Sequence, residues 1–188
     1  MNTYYIKMKS YITRSLIIII CTCIHLSCQD KDRSNITRMV TEWQGKEIQF
    51  PANSTFTIQG KDTVSVNMNA EHKILVYVDS TGCTSCRLKL NKWKEFMAKV
   101  DSVAKEPVQF LFYLAPKSVK EARYITRRDD FTYPMCIDLK NEINSKNNFP
   151  KENTFHTFLL DVENKVQIIG NPIHNNAVRE LYLNAISK

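Results

Sequence analysis

No stretch of this sequence approaches the ~20 consecutive apolar residues that a bilayer-spanning helix needs. The most apolar run, Leu16 to Ile20, continues only unevenly to Leu26. No acidic residue occurs in residues 1–27 either, whereas Lys7, Lys9 and Arg14 stand at their start. A basic beginning and a short apolar core make a secretory signal and argue against a transmembrane anchor. Cleavage before Cys28 lowers the formal net charge from +7 to +4. The remaining Lys and Arg residues are scattered among acids, without the basic stripe and interleaved aromatics of a nucleic-acid surface, so no nucleic-acid partner is expected. Internal repeats and low-complexity segments are also lacking, and the length fits one domain behind a processing segment.

The apolar segment closes with Ile24-His25-Leu26-Ser27-Cys28. A small residue directly before a cysteine resembles the lipobox of bacterial lipoproteins, although His25 replaces the usual aliphatic residue. The resemblance implies that Cys28 becomes the lipidated first residue, so the membrane is a partner through a lipid anchor. The following Gln29-Asp30-Lys31-Asp32 resembles the acidic surface-export tags of some Bacteroidetes lipoproteins, and a solvated tether explains it equally well. The expected organisation is a signal peptide over 1–27, a tether over 28–40 and one domain over 41–188. The expected location is periplasmic or at the outer membrane, including its outer surface.

Six cysteines reduce to three working thiols, because Cys21 and Cys23 leave with the signal and Cys28 carries lipid. An exported chain meets an oxidising compartment, where Cys83 and Cys86 can pair and the odd Cys136 is expected to be a small core residue.

Residues 29–38 are polar and carry no apolar period, as a flexible tether does. Lys46–Phe50 and Thr55–Ile58 alternate around Pro51 to Ser54 and read as a hairpin, with Thr63–Val66 extending the layer. Lys73-Ile-Leu-Val-Tyr-Val78 is a continuous apolar run and reads as the central strand, buried on both faces. Beyond Gly82, the residues Cys86, Leu90, Trp93, Met97 and Val100 step by four and three, which predicts one helix. Val108–Leu114 reads as a second buried strand, completing a strand-helix-strand unit. A helix over 118–128, a short strand at 134–137 and a polar helix over 139–147 follow. The end is a hairpin of 155–160 with 166–169 and a closing helix through Val178, Leu181, Tyr182 and Ile186.

Cys83-Thr84-Ser85-Cys86 falls where the central strand turns into the first long helix. A thiolate at a helix N-terminus faces unsatisfied N–H groups and the positive end of the macrodipole, which lower its pKa. Cys83 is therefore the attacking thiol and Cys86, opening the buried stripe, the resolving one. Zinc uses the same spacing, but a structural zinc site takes four N or S ligands and the chain has one such knuckle. Cys136, His72, His156 and His174 stand at no recognisable ligand spacing. An inert disulfide closing so short a loop would restrain little, and copper handling by the two cysteines and a histidine is a further alternative. Neither an organic cofactor nor a resident metal is expected.

The order strand, Cys-x-x-Cys, helix, strand, inserted strand-helix, hairpin, helix resembles thioredoxin-like domains of the TlpA and ResA type. It covers roughly residues 45–188, and Phe158-Leu-Leu-Asp161 resembles that family's Phe-Leu-Ile-Asp segment. The resemblance implies an α/β fold: a central mixed sheet flanked by helices, here with an N-terminal β-hairpin extension. It implies thiol-disulfide exchange with protein thiols or disulfides. Three positions depart from the family. Its cis-proline register holds Phe155, preceded by Thr154, and a trans bond is expected there because a cis bond before a non-proline residue costs about 3–4 kcal/mol. Gly82 replaces the usual Trp before the first cysteine, and Tyr77 stands where thioredoxin keeps a buried Asp. Gly82, Thr84, Ser85, Thr154, Phe155 and His156 are the expected neighbours of the pair; His156 is either a proton carrier or a packing residue. The functional alternatives are an oxidoreductase and a redox-inactive adaptor on the same fold.

Overall fold

The computed structural model describes residues 33–81 and 88–188. Contacts divide the chain into two units, Met1–Thr41 and Glu42–Lys188. In the first, residues 33–41 are helical, and Arg38 Nη2 donates to Asn35 Oδ1 at 2.8 Å. Within the stretch read as a tether, residues 33–38 are helical, and an apolar period, Ile36 followed by Met39 and Val40, starts there. The signal segment 1–27 and Cys28 lie outside the described residues.

The second unit is built on one seven-stranded sheet in the order β2-β1-β5-β4-β3-β6-β7. The strands are β1 (Phe56–Ile58), β2 (Asp62–Val64), β3 (Lys73–Val78), β4 (Gln109–Leu114), β5 (Met135–Ile137), β6 (Thr157–Leu160) and β7 (Val166–Ile169). Among the described residues its helices are α1 (Leu90–Val103), α2 (Val119–Arg128), α3 (Glu142–Asn147) and α4 (Asn176–Ile186). The strands β3, β4 and β5 are parallel to one another, joined by crossovers through α1 and α2, whereas β6, β7, β1 and β2 add antiparallel edges. This is the mixed α/β sheet that the sequence predicts.

Every residue of β3 is buried, as its unbroken apolar run requires. Ile74, Val76 and Val78 face α1, where they meet Trp93, Met97 and Val100 in one core with Phe112 of β4 and Tyr182 of α4. The opposite face carries an aromatic layer in which Phe149 lies 4.9 Å from Tyr77 and 5.2 Å from Phe158. Lys73, fully buried at the head of β3, donates through Nζ to the carbonyls of Ala70 (3.2 Å) and Val162 (3.0 Å). Burial lowers its pKa against the raising pull of Asp161 and Glu163. Among the described residues no helix is long and apolar enough to cross a membrane.

The N-terminal hairpin forms with different partners from those predicted. Phe56–Ile58 pairs with Asp62–Val64, and the turn between them is Gln59-Gly60, both at positive φ (51° and 69°). Two such residues between strands make the tight turn whose twist matches a hairpin. The segment 46–50 instead runs beside the β6–β7 turn, with Ile48 N–H donating to Asn164 O (2.9 Å) and Val166 N–H to Lys46 O (2.9 Å). Buried Asn147 pins it, accepting from Gln49 N–H (2.8 Å) and donating to Gln49 O (2.9 Å). Pro51 lacks the N–H that would continue the ladder, so the alternation on either side of it belongs to two separate pairings.

Candidate functional site

The central strand ends at Val78, and Asp79 turns the chain. Its Oδ1 accepts from Thr81 N–H (2.9 Å) and from Thr81 Oγ1 (2.5 Å), a side-chain turn that stops the strand. Gly82, Cys83, Thr84, Ser85 and Cys86 follow and lie outside the described residues. The chain is described again from Leu88, which is buried and helical. Lys89 then takes the left-handed conformation (φ 41°, ψ 52°), and α1 starts at Leu90. Leu90, Trp93, Met97 and Val100 hold the buried stripe as predicted, but the single helix expected from Cys86 onward is broken at Lys89. The sequence pattern could not reveal this, because a period of 3.6 survives one residue at positive φ. The positive end of α1 lies at Lys89 and Leu90; the predicted placement of Cys83 at a helix N-terminus lies outside the described residues.

A cavity of about 110 Å³ opens at the C-terminal end of β3, between the strand from which the chain departs and the helix on which it returns. Val78 and Trp93 supply its apolar wall; Asn153, Thr154, His156 and His174 supply its polar one. A short turn, Asn153–Phe155, delivers this polar wall, and β6 begins after it. His156 consequently precedes the strand on which the sequence placed it. It is buried, its carbonyl accepts from Tyr77 N–H (2.9 Å), and its ring lies 5.0 Å from that of Tyr77. Its Nε2 stands 2.6 Å from Pro150 O. A carbonyl can only accept, so Nε2 carries a proton that it donates to Pro150 O.

Of the expected neighbours, Thr154 and His156 line the cavity, while Phe155 is buried and turned away from its lining. The Thr154–Phe155 bond is trans, as expected, since the described residues hold no cis peptide. Pro150 acts through its carbonyl alone. Asn153 and Asn171 join the lining without any sequence signal that singled them out. Trp93 was legible only as a core anchor. His174 is largely exposed, but the part of its ring that meets the cavity is desolvated enough to lower its pKa. Lys89 and Lys92 push it the same way, which marks a positive potential at this end of α1.

No protein-family model matches the chain, and no curated protein sequence does. Solved structures do match. A thiol:disulfide interchange protein DsbE from Chlorobium tepidum superposes with a TM-score of 0.56 at 16% identity, over 76% of this chain and 97% of that one. The thioredoxin domain of a thiol-disulfide oxidoreductase from Bacteroides vulgatus gives 0.54 at 12% identity, over 73% and 96%. A protein disulfide isomerase from Bacteroides thetaiotaomicron gives 0.51 at 14%, over 77% and 91%. The fold is thioredoxin-like.

In this thioredoxin-like domain the odd thiol, Cys136, is buried on β5 and opposite Phe56 of β1. Burial and the nearby carboxylate of Asp138 push its pKa up to about 11. At pH 7 to 8 Cys136 is expected to stay protonated and to resist alkylation in the folded chain, then to react fully in denaturant. Mass spectrometry after iodoacetamide treatment checks this. Among the described residues no three His, Cys, Asp or Glu side chains converge as a metal site.

Proposed function

We propose that the chain is an exported, membrane-tethered thiol-disulfide oxidoreductase that exchanges disulfides with protein substrates through Cys83 and Cys86. The observation that carries this reading is the position of the pair in the chain. The two cysteines lie between the buried central strand and α1 of a thioredoxin-like sheet, and the cavity with His156 and His174 opens where those two elements meet. The similar solved proteins whose names describe thiol-disulfide chemistry support it as well. Tethering rests on the signal segment and on Cys28 as the lipidated residue.

In the reducing direction the Cys83 thiolate attacks one sulfur of a substrate disulfide. That bond breaks, a mixed disulfide forms and the first substrate thiolate leaves. Cys86, once deprotonated, attacks Cys83 Sγ and expels the second substrate thiolate. Two electrons pass to the substrate, and the chain ends with a Cys83–Cys86 disulfide. Lys89, just before α1, and Lys92, in its first turn, add positive potential that favours the thiolate.

A second reading, an adaptor that no longer turns over, draws on Phe155, a buried residue in the register where the resembling family keeps its cis-proline. Equilibration in glutathione buffers of graded potential, followed by alkylation and mass spectrometry, tests the proposal. The expected result is one two-electron transition that protects Cys83 and Cys86 together. Two independent single-thiol reactions, or no protection at any potential, would remove it.

A further inference from the structure

The helix α2 presents a face that the redox chemistry does not use. Lys120, Arg123, Tyr124 and Arg127 recur at intervals of three and four, so they share one short basic stripe that the scattered charges of the sequence did not suggest, and all four are exposed. Ala122, Ile125 and Thr126 on the opposite side are buried. The one carboxylate within the helix does not offset this stripe. Ser118 Oγ accepts from Glu121 N–H (3.2 Å), and Glu121 Oε2 accepts from Lys117 N–H (3.2 Å), so Glu121 is drawn back over the first turn. Asp129, just past the helix, is engaged by Arg128 at 2.6 Å and by its neighbour Lys94. Among the described residues Lys120, Arg123 and Arg127 make no ion pair. In their midst stands Tyr124, 65% exposed, a ring with an apolar body and a polar tip.

We infer that this face docks on an anionic lipid surface. Three uncompensated cations at helical spacing complement lipid phosphates, and an exposed tyrosine suits the headgroup layer. The inference rests on the tethered reading of the chain. The stretch from Cys28 to Thr41 reaches at most about 50 Å even when extended, so a tethered domain meets the bilayer far more often than it meets any free acidic protein.

The substitution Tyr124→Trp supplies the probe, because Trp43 and Trp93 are both 1% exposed and emit as buried indoles. The full chain is reconstituted into phosphatidylcholine vesicles with or without roughly 30% phosphatidylglycerol, the lipids carrying brominated acyl chains. With the anionic lipid, the added emission is expected to shift to the blue and lose about half its intensity; about 0.5 M NaCl should restore it. Adding Lys120→Glu and Arg127→Glu should abolish the effect; both positions are exposed, so the fold should tolerate them. Quenching that is equal in the two vesicle types, or unchanged by the charge reversals, overturns the inference while leaving the tether intact. Flotation scores the tether separately: a chain that floats with neither vesicle type takes the tethered reading and this inference down together. The redox titration above is unaffected by either result.

Discussion

A Cys83→Ser chain is expected to reduce insulin no faster than the uncatalysed background, a loss of at least ~100-fold, because no other thiol can replace the nucleophile. Cys136 is buried, and its pKa of about 11 keeps it protonated. Any thiol at position 28 belongs to the lipid anchor in the proposed reading. The Cys86→Ser chain should fail differently. Attack by Cys83 still occurs, but with no resolving thiol the mixed disulfide persists, and the chain should trap substrate as a dithiothreitol-sensitive adduct. Equal, negligible turnover in the unsubstituted chain and in both variants, with no adduct from Cys86→Ser, favours the adaptor reading. The rate of the first step should fall about tenfold per pH unit below the pKa of Cys83, since only the thiolate attacks. Lys89→Glu together with Lys92→Glu should move that limb to higher pH. Lys89 precedes the first turn of α1 and Lys92 lies within it, so both put positive charge on the end of the helix that follows the pair in the chain.

Much of this architecture could be read from pattern. The run Lys73–Val78 announced a strand buried on both faces, and the spacing of Leu90, Trp93, Met97 and Val100 announced the helix that covers it. The hairpin of β6 and β7 followed from its alternation and from the turn at Asp161–Lys165, whose ends are joined by Asp161 N–H donating to Lys165 O at 3.1 Å. What escaped were choices made by single backbone conformations and by distant partners. Gln59-Gly60 moved the first hairpin by several residues because two positive φ angles outweigh a longer alternating run. A φ of 69° favours glycine at 60, and a Cβ there would also displace the Arg123 side chain, whose Cγ would stand 2.7 Å away. The left-handed Lys89 sets the start of α1 at Leu90 while leaving the apolar period of Leu90, Trp93, Met97 and Val100 untouched. At the site, the sequence singled out Thr154 and His156, but the contact that fixes His156, its Nε2–H to the carbonyl of Pro150, has no signature, because any residue could supply that oxygen.

Trp93→Ala is expected to lower the unfolding free energy by about 3–5 kcal/mol, a large part of the ~5–15 kcal/mol typical of a domain. Trp93 is 1% exposed and makes edge-to-face contacts with Phe96 (5.9 Å) and Phe112 (5.5 Å), so truncation removes its buried area and leaves a void that α1 and β4 cannot close. Chemical denaturation measures the loss, and Trp93→Phe should recover most of it. The same side chain walls the cavity that His174 meets, so the alanine variant should also change a titration. Desolvation is the first cause of the lowered His174 pKa. Admitting water where the indole stood should let that pKa climb back toward 6.5. A histidine whose pKa is lower folded than unfolded makes the native state bind fewer protons, so stability rises as pH climbs through the interval just below 6.5. In Trp93→Ala that rise should be shallower, a difference visible in denaturation midpoints across pH 5 to 7 and, for His174 alone, in its imidazole proton resonances. If the cavity stays dry, stability falls but the slope is preserved.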